Sequence, residues 1–173
     1  MPHRLIVGGT MTGKTTLAKQ IVAEAAARGL IATIHDPLMS DWPGNAIVLH
    51  DADEYYAVLL ARIKAGQRQL NVCDEADLVY SHAERDRYWV ATRGRHYGLE
   101  NVFITQRPQM LAPTIRTQCT ELFCFRVADS DAALLSQDFS DVRIKSVSEL
   151  QQGEYFYSRW VDGKKTLDKY TAF

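Results

Sequence analysis

Apolar runs alternate with segments of helical periodicity along most of the chain. Short apolar runs, which predict buried strands, lie at 4–8, 30–35, 69–73, 101–105 and 121–127, and a further apolar stretch lies at 46–50. Between them, the spacing of apolar positions predicts helices at 15–28, 53–64 and 131–137, and we expect a helix at 82–96 as well. Strands that alternate with helices predict an α/β fold, with a mostly parallel sheet and helices on both faces.

The C-terminal part of the chain has a different pattern. Two aromatic-rich runs, at 155–160 and 166–170, flank a segment that contains Asp162-Gly163. Asp-Gly between two such runs is typical of a β-hairpin. We therefore expect a hairpin at about 154–171 that adds antiparallel strands at one edge of the sheet. No repeat or linker divides the chain, so we expect a single domain over 1–173.

Composition and charge are those of an ordinary globular protein. Hydrophobic residues make up 46% and charged residues 24%, and 20 Lys and Arg against 21 Asp and Glu give a net charge of −1. This balance argues against a histone-like coat on nucleic acid, but it allows a local basic patch.

The cysteines and the apolar runs bear on the compartment. Cys73, Cys119 and Cys124 each lie in an apolar run and form no C-x-x-C pair, so we expect buried thiols rather than a zinc site or disulfides. The sequence shows neither a signal peptide nor an apolar run long enough to span a membrane. We therefore expect a cytoplasmic protein.

Residues 8–15 match in full the phosphate-binding pattern G-x-x-x-x-G-K-[ST], the Walker A motif. The glycines let backbone N–H groups converge on phosphate oxygens, and the following helix directs its positive N-terminus at the anion. Lys14 is expected to reach the β- and γ-phosphates, and the Thr15 hydroxyl is expected to bind Mg²⁺. The predicted nucleotide-binding residues are Gly8, Gly9, Thr10, Met11, Thr12, Gly13, Lys14, Thr15 and Thr16.

The predicted strand at 69–73 is followed by two carboxylates, Asp74 and Glu75, as a Walker B strand is. In P-loop proteins a strand-end Asp holds Mg²⁺, and a second carboxylate beside it can accept a proton from the attacking water. We assign Asp74 to the metal and Glu75 to the water. The alternative is an acidic pair that only starts a helix, where the helix dipole favours it. Asp77 is a weaker candidate, and we expect it to cap the helix or to be solvated.

The predicted strand at 101–105 is followed by the amide side chain of Gln106. A glutamine there can orient the attacking water or sense the γ-phosphate, as glutamines do in other P-loop hydrolases. The alternative is an amide that only holds a loop in place.

Positive charge is concentrated at 93–96, in the sequence R-G-R-H, at the end of the predicted helix 82–96. Such charge is favourable there on dipole grounds alone. The functional alternative is that Arg93 or Arg95 is an arginine finger for a neighbouring subunit, where it would stabilise transition-state charge. The rival arginines are Arg85, Arg87, Arg107 and Arg116.

Together these motifs resemble the FtsK–HerA superfamily of P-loop ATPases, and within it the genome-packaging ATPases of tailless icosahedral viruses with internal membranes. The resemblance covers most of the chain. Its generic part is the loop at 8–15 and the acidic strand end, and its family-specific part is the pairing of R-G-R at 93–95 with T-Q-R-P at 105–108. Further matching segments are Asp36-Pro37, F-R-V at 125–127, D-S-D-A at 129–132 and L-Q-Q-G-E-Y-F-Y at 150–157.

The resemblance implies a sheet in which the Gln106 strand lies between the loop strand and the Asp74 strand, so that Gln106 lies beside the γ-phosphate. It also implies ATP and Mg²⁺ as cofactors and a hexameric or pentameric ring with nucleotide between the subunits. Double-stranded DNA would then occupy the channel without sequence preference, and capsid or portal-vertex proteins would be further partners. Such a protein would be found in the host cytoplasm or associated with the virion.

The leading interpretation is therefore an ATP-hydrolysing motor that moves viral double-stranded DNA into a capsid. Three alternatives stay open: a Zot-like phage assembly ATPase, a small P-loop kinase that acts on a metabolite, and a nucleotide-dependent assembly module. The adjacent carboxylates Asp74 and Glu75 favour water as the nucleophile over a metabolite.

Overall fold

The computed structural model describes all residues from Met1 to Phe173 and contains one eight-stranded sheet. The strands are β1 His3–Val7, β2 Ile31–His35, β3 Ile47–Leu49, β4 Gln69–Cys73, β5 Leu99–Thr105, β6 Glu121–Phe125, β7 Glu154–Val161 and β8 Lys164–Thr171. The α-helices are α1 Lys14–Ala27, α2 Ala52–Lys64, α3 Ala76–Val79, α4 Trp89–Thr92, α5 Pro113–Gln118 and α6 Asp129–Asp138.

The strand order across the sheet is β3-β2-β4-β5-β1-β6-β7-β8. The first six strands in this order are parallel to one another, and β7 and β8 are antiparallel additions at one edge. The predicted fold class, a mostly parallel sheet of the P-loop NTPase type with a C-terminal hairpin, is confirmed. The position of β5 between β1 and β4 is the one that the family resemblance implies.

Each face of the sheet carries its own apolar core. On one face α1 packs against the central strands in a cluster of 16 buried residues, and on the other a cluster of 25 buried residues includes side chains of α2, α3 and α6. Central strands covered on both faces are apolar at successive positions rather than at alternate ones. β5 shows this most fully, because all seven of its residues are buried.

The hairpin turn follows from two residues of left-handed conformation. Asp162 and Gly163 have φ of 49° and 75°, and Val161 pairs directly with Lys164. Positive φ at both central residues defines the type I′ turn, whose twist matches that of the flanking strands. On this edge of the sheet Tyr157 stacks on Phe123 with ring centroids 4.3 Å apart.

The predicted helix at 82–96 is wrong. The structure has three short pieces there: a 3₁₀ turn at Arg85–Arg87, α4, and a second 3₁₀ turn at Gly94–Tyr97. The carbonyl of Val90, which a continuous helix would pair within the segment, instead accepts from Asn101 Nδ2 at 2.8 Å, and the side-chain hydroxyl of Tyr88 donates to Ser81 O at 2.9 Å. Further helical segments that were not predicted are α5 and the 3₁₀ helices at Pro108–Met110 and Val142–Glu149.

The three cysteines are free and buried, as predicted, and burial raises the pKa of each thiol. No helix has both the length and the apolar character that crossing a membrane requires.

A chain of buried polar side chains crosses the central strands. Asn71 Nδ2 donates to Asn101 Oδ1 at 2.7 Å, and Asn101 Nδ2 lies 3.1 Å from Nδ1 of His3. His3 is fully buried, and desolvation, together with the nearby charge of Arg95, lowers its pKa from 6.5 to about 4. His3 is therefore neutral in the folded protein at neutral pH.

This buried histidine predicts an acid-sensitive fold. Between pH 6.5 and about 4 the unfolded chain binds a proton at His3 that the folded chain does not. The free energy of unfolding should therefore fall across this window, by up to about 3 kcal/mol, as the pH is lowered. Urea unfolding at several pH values should show this loss in the wild type and a much smaller one in His3→Gln. The control is His50→Gln, which changes an exposed histidine and should leave the dependence of the unfolding free energy on pH as it is in the wild type. The same pH dependence in the wild type and in His3→Gln would rule out His3 as the titrating group.

Candidate functional site

The loop between β1 and α1 depends on glycine at two positions. A Cβ on Gly8 would lie 2.6 Å from Cβ of Phe125, so any side chain there would displace β6. Gly13 has φ of +110° and directly precedes α1, and a Cβ there would lie 3.0 Å from Cβ of Ala172. The glycines therefore allow both the left-handed turn into the helix and the close approach of neighbouring chain segments.

Lys14 lies in the first turn of α1 and is buried against the loop. Its ammonium donates to Gly9 O at 2.5 Å, and the hydroxyl of Thr12 donates to the same carbonyl at 2.9 Å. Burial lowers the pKa of Lys14, and the carboxylate of Asp74 acts in the opposite direction. A cation held inside an anion-binding loop can exchange its carbonyl partner for a phosphate oxygen.

Asp74 and Glu75 lie at the carboxyl end of β4. The main-chain N–H of Asp74 donates to His35 O at 2.9 Å, which extends the ladder between β4 and β2 by one residue. Burial raises the pKa of Asp74, and the nearby carboxylate of Asp36 adds to this while Lys14 opposes it. An Mg²⁺ ion at this carboxylate would favour its charged form.

The backbone at Glu75 has left-handed dihedral angles, with φ of 52° and ψ of 49°. Non-glycine residues seldom adopt this conformation, and it costs about 1–2 kcal/mol. The turn lets β4 end at the edge of the sheet and places Glu75 beside a cavity of about 240 Å³ that it lines together with Asp77, Gln106 and Arg107. Strain of this kind is found at functional sites.

Gln106 is hydrogen-bonded to the phosphate-binding loop. Its Oε1 accepts from Oγ1 of Thr10 at 2.9 Å, and its side chain is exposed. β5 lies between β1 and β4, and its carboxyl end therefore lies between the loop and the acidic pair. The structure thus brings Thr10, Gln106 and Glu75 to one edge of the sheet.

Asp77 has a different role from the one expected. Instead of being solvated or capping a helix, it is buried, with 7% of its surface exposed. Its carboxylate accepts from Oγ1 of Thr105 at 2.7 Å and from Nη2 of Arg107 at 3.0 Å. Asp77 therefore ties the segment after β4 to the end of β5, on both sides of Gln106.

Arg93 and Arg95 lie at the amino-terminal end of the parallel strands, whereas the loop lies at their carboxyl end. They precede β5, whose seven residues span roughly 20 Å at about 3.3 Å per residue. Both side chains are exposed; that of Arg93 has no partner, and that of Arg95 makes one long contact, 3.4 Å, to Gln118 O. The structure does not bring these two residues to the nucleotide loop of their own chain.

Two of the rival arginines are committed to structural contacts. Arg116 is 4% exposed and pairs with Asp138 at 2.6 Å, and Arg87 pairs with Asp53 at 2.6 Å. Arg107 is half-exposed but tied to Asp77, whereas Arg85 is exposed without a side-chain partner.

Three residues near the loop were missed at the sequence level. Arg126 follows β6, its carbonyl accepts from Gly9 N at 3.3 Å, and its side chain is exposed without a partner. Gln152 donates from Nε2 to Met11 O at 3.2 Å, and the Phe173 ring packs on Gly13. The F-R-V segment was a signal for Arg126 and the L-Q-Q-G-E-Y-F-Y segment was a signal for Gln152, whereas nothing local marks Phe173.

The residues present fit a nucleotide with Mg²⁺. Magnesium prefers oxygen ligands, which the Thr15 hydroxyl and the Asp74 carboxylate supply. Phosphate oxygens prefer cationic and N–H donors, which Lys14 and the glycine-lined loop supply at the start of a 14-residue helix.

No protein-family model and no curated protein matches the chain in sequence. Solved structures do match in fold. The genome packaging NTPase B204 from Sulfolobus turreted icosahedral virus 2, in complex with AMPPCP, superposes with a TM-score of 0.80 at 17% identity, over 96% of each chain. The chain has the fold of a viral genome packaging NTPase.

Other proteins share this fold over parts of longer chains. The pCW3 conjugation coupling protein TcpA, with ATPγS, matches with a TM-score of 0.74 at 18% identity, over 99% of this chain and 60% of TcpA. The cytoplasmic domain of the type VII secretion ATPase EccC from Thermomonospora curvata matches with a TM-score of 0.67 at 15% identity, over 98% of this chain and 25% of that one. The expected resemblance to packaging ATPases is thus confirmed in the fold.

The buried position of Asp77 predicts a structural cost for its loss. Asp77→Ala leaves the Thr105 hydroxyl, which is 1% exposed, without its acceptor, so the free energy of unfolding should fall by about 1.5–3 kcal/mol. Arg107→Ala removes only a half-exposed partner and should cost less than about 1 kcal/mol. Urea unfolding measures both, with the exposed Asp41→Ala as the control that should change little. Equal losses for Asp77→Ala and Arg107→Ala would mean that the bond to Thr105 contributes nothing.

Proposed function

We propose that this protein is an ATPase that uses ATP hydrolysis to move double-stranded viral DNA into a capsid. The observation that carries the ATPase proposal is the meeting of three features at one edge of the sheet. These are the phosphate-binding loop with Lys14, the acidic pair Asp74-Glu75, and Gln106, which is hydrogen-bonded to the loop through Thr10.

The proposed binding roles follow from the donor and acceptor chemistry of the loop. The backbone N–H groups of residues 8–16 surround the phosphates, and Lys14 neutralises the β- and γ-phosphate oxygens. Thr15 and Asp74 hold Mg²⁺, which supplies positive charge against the phosphates when it is bound.

The proposed hydrolytic roles belong to Glu75 and Gln106. Glu75 accepts a proton from the attacking water, and the amide of Gln106 orients that water in line with the γ-phosphate. Both line the same cavity, and Asp77 holds the segments on which they lie. In this proposal the carboxylate activates water, so that the reaction is hydrolysis rather than transfer to a metabolite.

The arginine finger is proposed to act between subunits. Arg93 and Arg95 lie on the far edge of the sheet from their own loop, so only the loop of a neighbouring molecule is within their reach. Both are exposed, and at most one long hydrogen bond holds either of them. We propose that a ring of five or six subunits brings this end of the sheet to the nucleotide site of the next subunit.

The proposed cargo rests on the similarity in fold to B204, described as a genome packaging NTPase and a DNA-packaging ATPase, over nearly the whole of both chains. Capsid or portal-vertex proteins are then the further partners, in the host cytoplasm or at the virion. TcpA and EccC show that the fold also occurs in conjugation and secretion proteins. A test of function must therefore vary the cargo as well as the nucleotide.

The first test removes one catalytic function at a time. Lys14→Ala should abolish ATP binding or hydrolysis, because the phosphates lose their cation. Glu75→Gln keeps the size of the side chain but removes the base, so it should bind ATP and fail to turn it over. Phosphate release is measured with and without double-stranded DNA, and DNA of any sequence should stimulate the wild-type rate.

The controls separate the competing functions. Hydrolysis by Glu75→Gln at the wild-type rate would show that Glu75 is not the base. Phosphorylation of a metabolite without phosphate release would identify a kinase, and hydrolysis that ignores DNA would contradict the DNA motor. DNA affinity should also fall steeply with salt, because a chain of net charge −1 must bind DNA through local Lys and Arg contacts.

The second test asks whether the arginine acts in trans. Arg95→Ala, or Arg93→Ala, should lower turnover by roughly 10³-fold or more while ATP affinity of the isolated subunit stays nearly unchanged. A Glu75→Gln subunit mixed with a subunit that lacks both arginines should recover activity, because each supplies what the other lacks. The specific activity of the wild type should also rise with protein concentration as rings form.

Arg85→Ala is the comparison variant, since Arg85 is exposed and unpartnered elsewhere on the surface. Loss of activity in Arg85→Ala alone would transfer the role to that residue. Mixed rings that stay inactive would mean that neither Arg93 nor Arg95 is a finger for the neighbouring nucleotide site.

A further inference from the structure

A cavity of about 350 Å³ opens beside the phosphate-binding loop on the side away from the acidic pair. It is lined by loop and helix residues 11–16 together with Gln152 and Phe173. The segments that carry Gln152 and Phe173 flank the β7–β8 hairpin, so two parts of the chain that are distant in sequence close this side of the loop.

Different residues lie on the two sides of the loop, and they determine which end of a nucleotide lies on each side. Glu75 and Gln106, which act at the γ-phosphate in the proposed function, follow β4 and β5 on one side of β1. The cavity with Phe173 lies on the other side, towards β6, β7 and β8. A triphosphate that ends at Glu75 must therefore direct its nucleoside into this cavity.

The ring of Phe173 packs against two glycines, and most of its surface is exposed. A Cβ on Gly153 would lie 2.7 Å from Cε2 of the ring, and a Cβ on Gly13 would lie 3.2 Å from Cε1. Two glycines thus let the ring lie directly on the main chain, yet 73% of the residue is exposed. An aromatic ring supported in this way and open to a cavity is a surface on which a nucleobase can stack.

Hydrogen bonds hold the backbone next to this ring in place. The N–H of Ala172 donates to Gly153 O at 2.9 Å, and Nε2 of Gln20 in α1 donates to Ala172 O at 3.3 Å. The backbone next to Phe173 is therefore tied both to Gly153 and to the helix that carries Lys14. Such support lowers the entropy cost of ordering the ring when a ligand binds.

Gln152 supplies polar recognition next to the ring. Its Nε2 donates to Met11 O at 3.2 Å, which leaves the amide oxygen and one N–H free of protein partners. A glutamine amide has one acceptor and one donor at the spacing of N6 and N7 of adenine, whereas guanine presents two acceptors at the same edge.

We propose that Phe173 and Gln152 form the base subsite of the nucleotide site, in which the ring stacks on the base and the amide selects adenine over guanine. This inference rests on the proposed function, because the loop must bind a nucleoside triphosphate for a base to enter the cavity. It adds a source of affinity and of nucleotide choice that the phosphate-binding motif lacks.

The test compares ligands with and without a base. Binding of ATP, GTP and inorganic tripolyphosphate, each with Mg²⁺, is measured by calorimetry for the wild type, Phe173→Ala and Phe173→Tyr. Phe173→Ala should weaken ATP binding by about 5- to 100-fold, as expected for the loss of one stacked base. Tripolyphosphate binding should stay unchanged, and Phe173→Tyr should retain ATP affinity.

Gln152→Leu should reduce the preference for ATP over GTP without weakening tripolyphosphate. A Phe173→Trp variant gives an independent readout, since stacking of a base should quench its indole fluorescence and tripolyphosphate should not.

The outcomes separate this inference from the proposed function. If Phe173→Ala weakens the binding of ATP and of tripolyphosphate equally, the ring only supports the loop. If it leaves ATP affinity unchanged, no base stacks on the ring. Either result overturns the base subsite. A wild type that binds neither ATP nor tripolyphosphate overturns the proposed function and the subsite together. Lys14→Ala should bind neither ATP nor tripolyphosphate, and it is therefore the reference for a loop that does not bind phosphate.

Discussion

Parallel pairing of β5 with β1 on one side and β4 on the other is the interaction on which the site depends. In this register Val7 lies opposite Thr105, and Cys73 lies opposite Phe103. Gly8 N then reaches Thr105 O at 3.4 Å, and the loop starts level with Gln106. A slip of one residue in β5 would turn its side chains to the opposite faces of the sheet and move Gln106 away from Thr10. Because all of β5 is buried, such a slip would also disrupt both cores.

The charges at this edge are held with incomplete compensation. Asp74 and Asp36 are carboxylates near each other, and the burial that raises the pKa of Asp74 also lowers that of Lys14. Asp74 and Lys14 compensate each other in part, and a Mg²⁺ ion and an anionic ligand would add opposite charge beside each of them. Asp77, by contrast, is satisfied by Thr105 and Arg107, so it stabilises the structure around the reacting groups.

The three parts of the proposed machinery lie at different places on one sheet. The hydrolytic groups follow β4 and β5, the base subsite lies towards the hairpin, and Arg93 and Arg95 lie at the amino-terminal edge. The sheet is rigid because it is packed on both faces, so these parts keep their separation within a chain. A reaction that uses all of them therefore needs at least two molecules, and this links the ring proposal to the geometry of the single chain.

Local features of the sequence determined much of this architecture. Apolar runs marked the buried strands, the spacing of glycines and Lys14 marked the loop, and Asp162-Gly163 marked the hairpin, because each signal depends on residues within a few positions of one another. The helix expected at 82–96 is absent, and the carbonyl of Val90, which such a helix would pair within the segment, accepts from the side chain of Asn101 instead. Here tertiary contacts outweighed weak helical periodicity.

The tertiary structure alone decided which distant residues meet. It placed Asp77 between Thr105 and Arg107, brought Phe173 onto Gly13, and put the length of β5 between Arg95 and its own loop. Strand order came from the family resemblance and not from periodicity, because hydrophobic spacing shows that a strand is buried without showing which strands lie beside it. Contacts between segments more than a hundred residues apart depend on that order, on register and on the packing of both faces, none of which a local pattern contains.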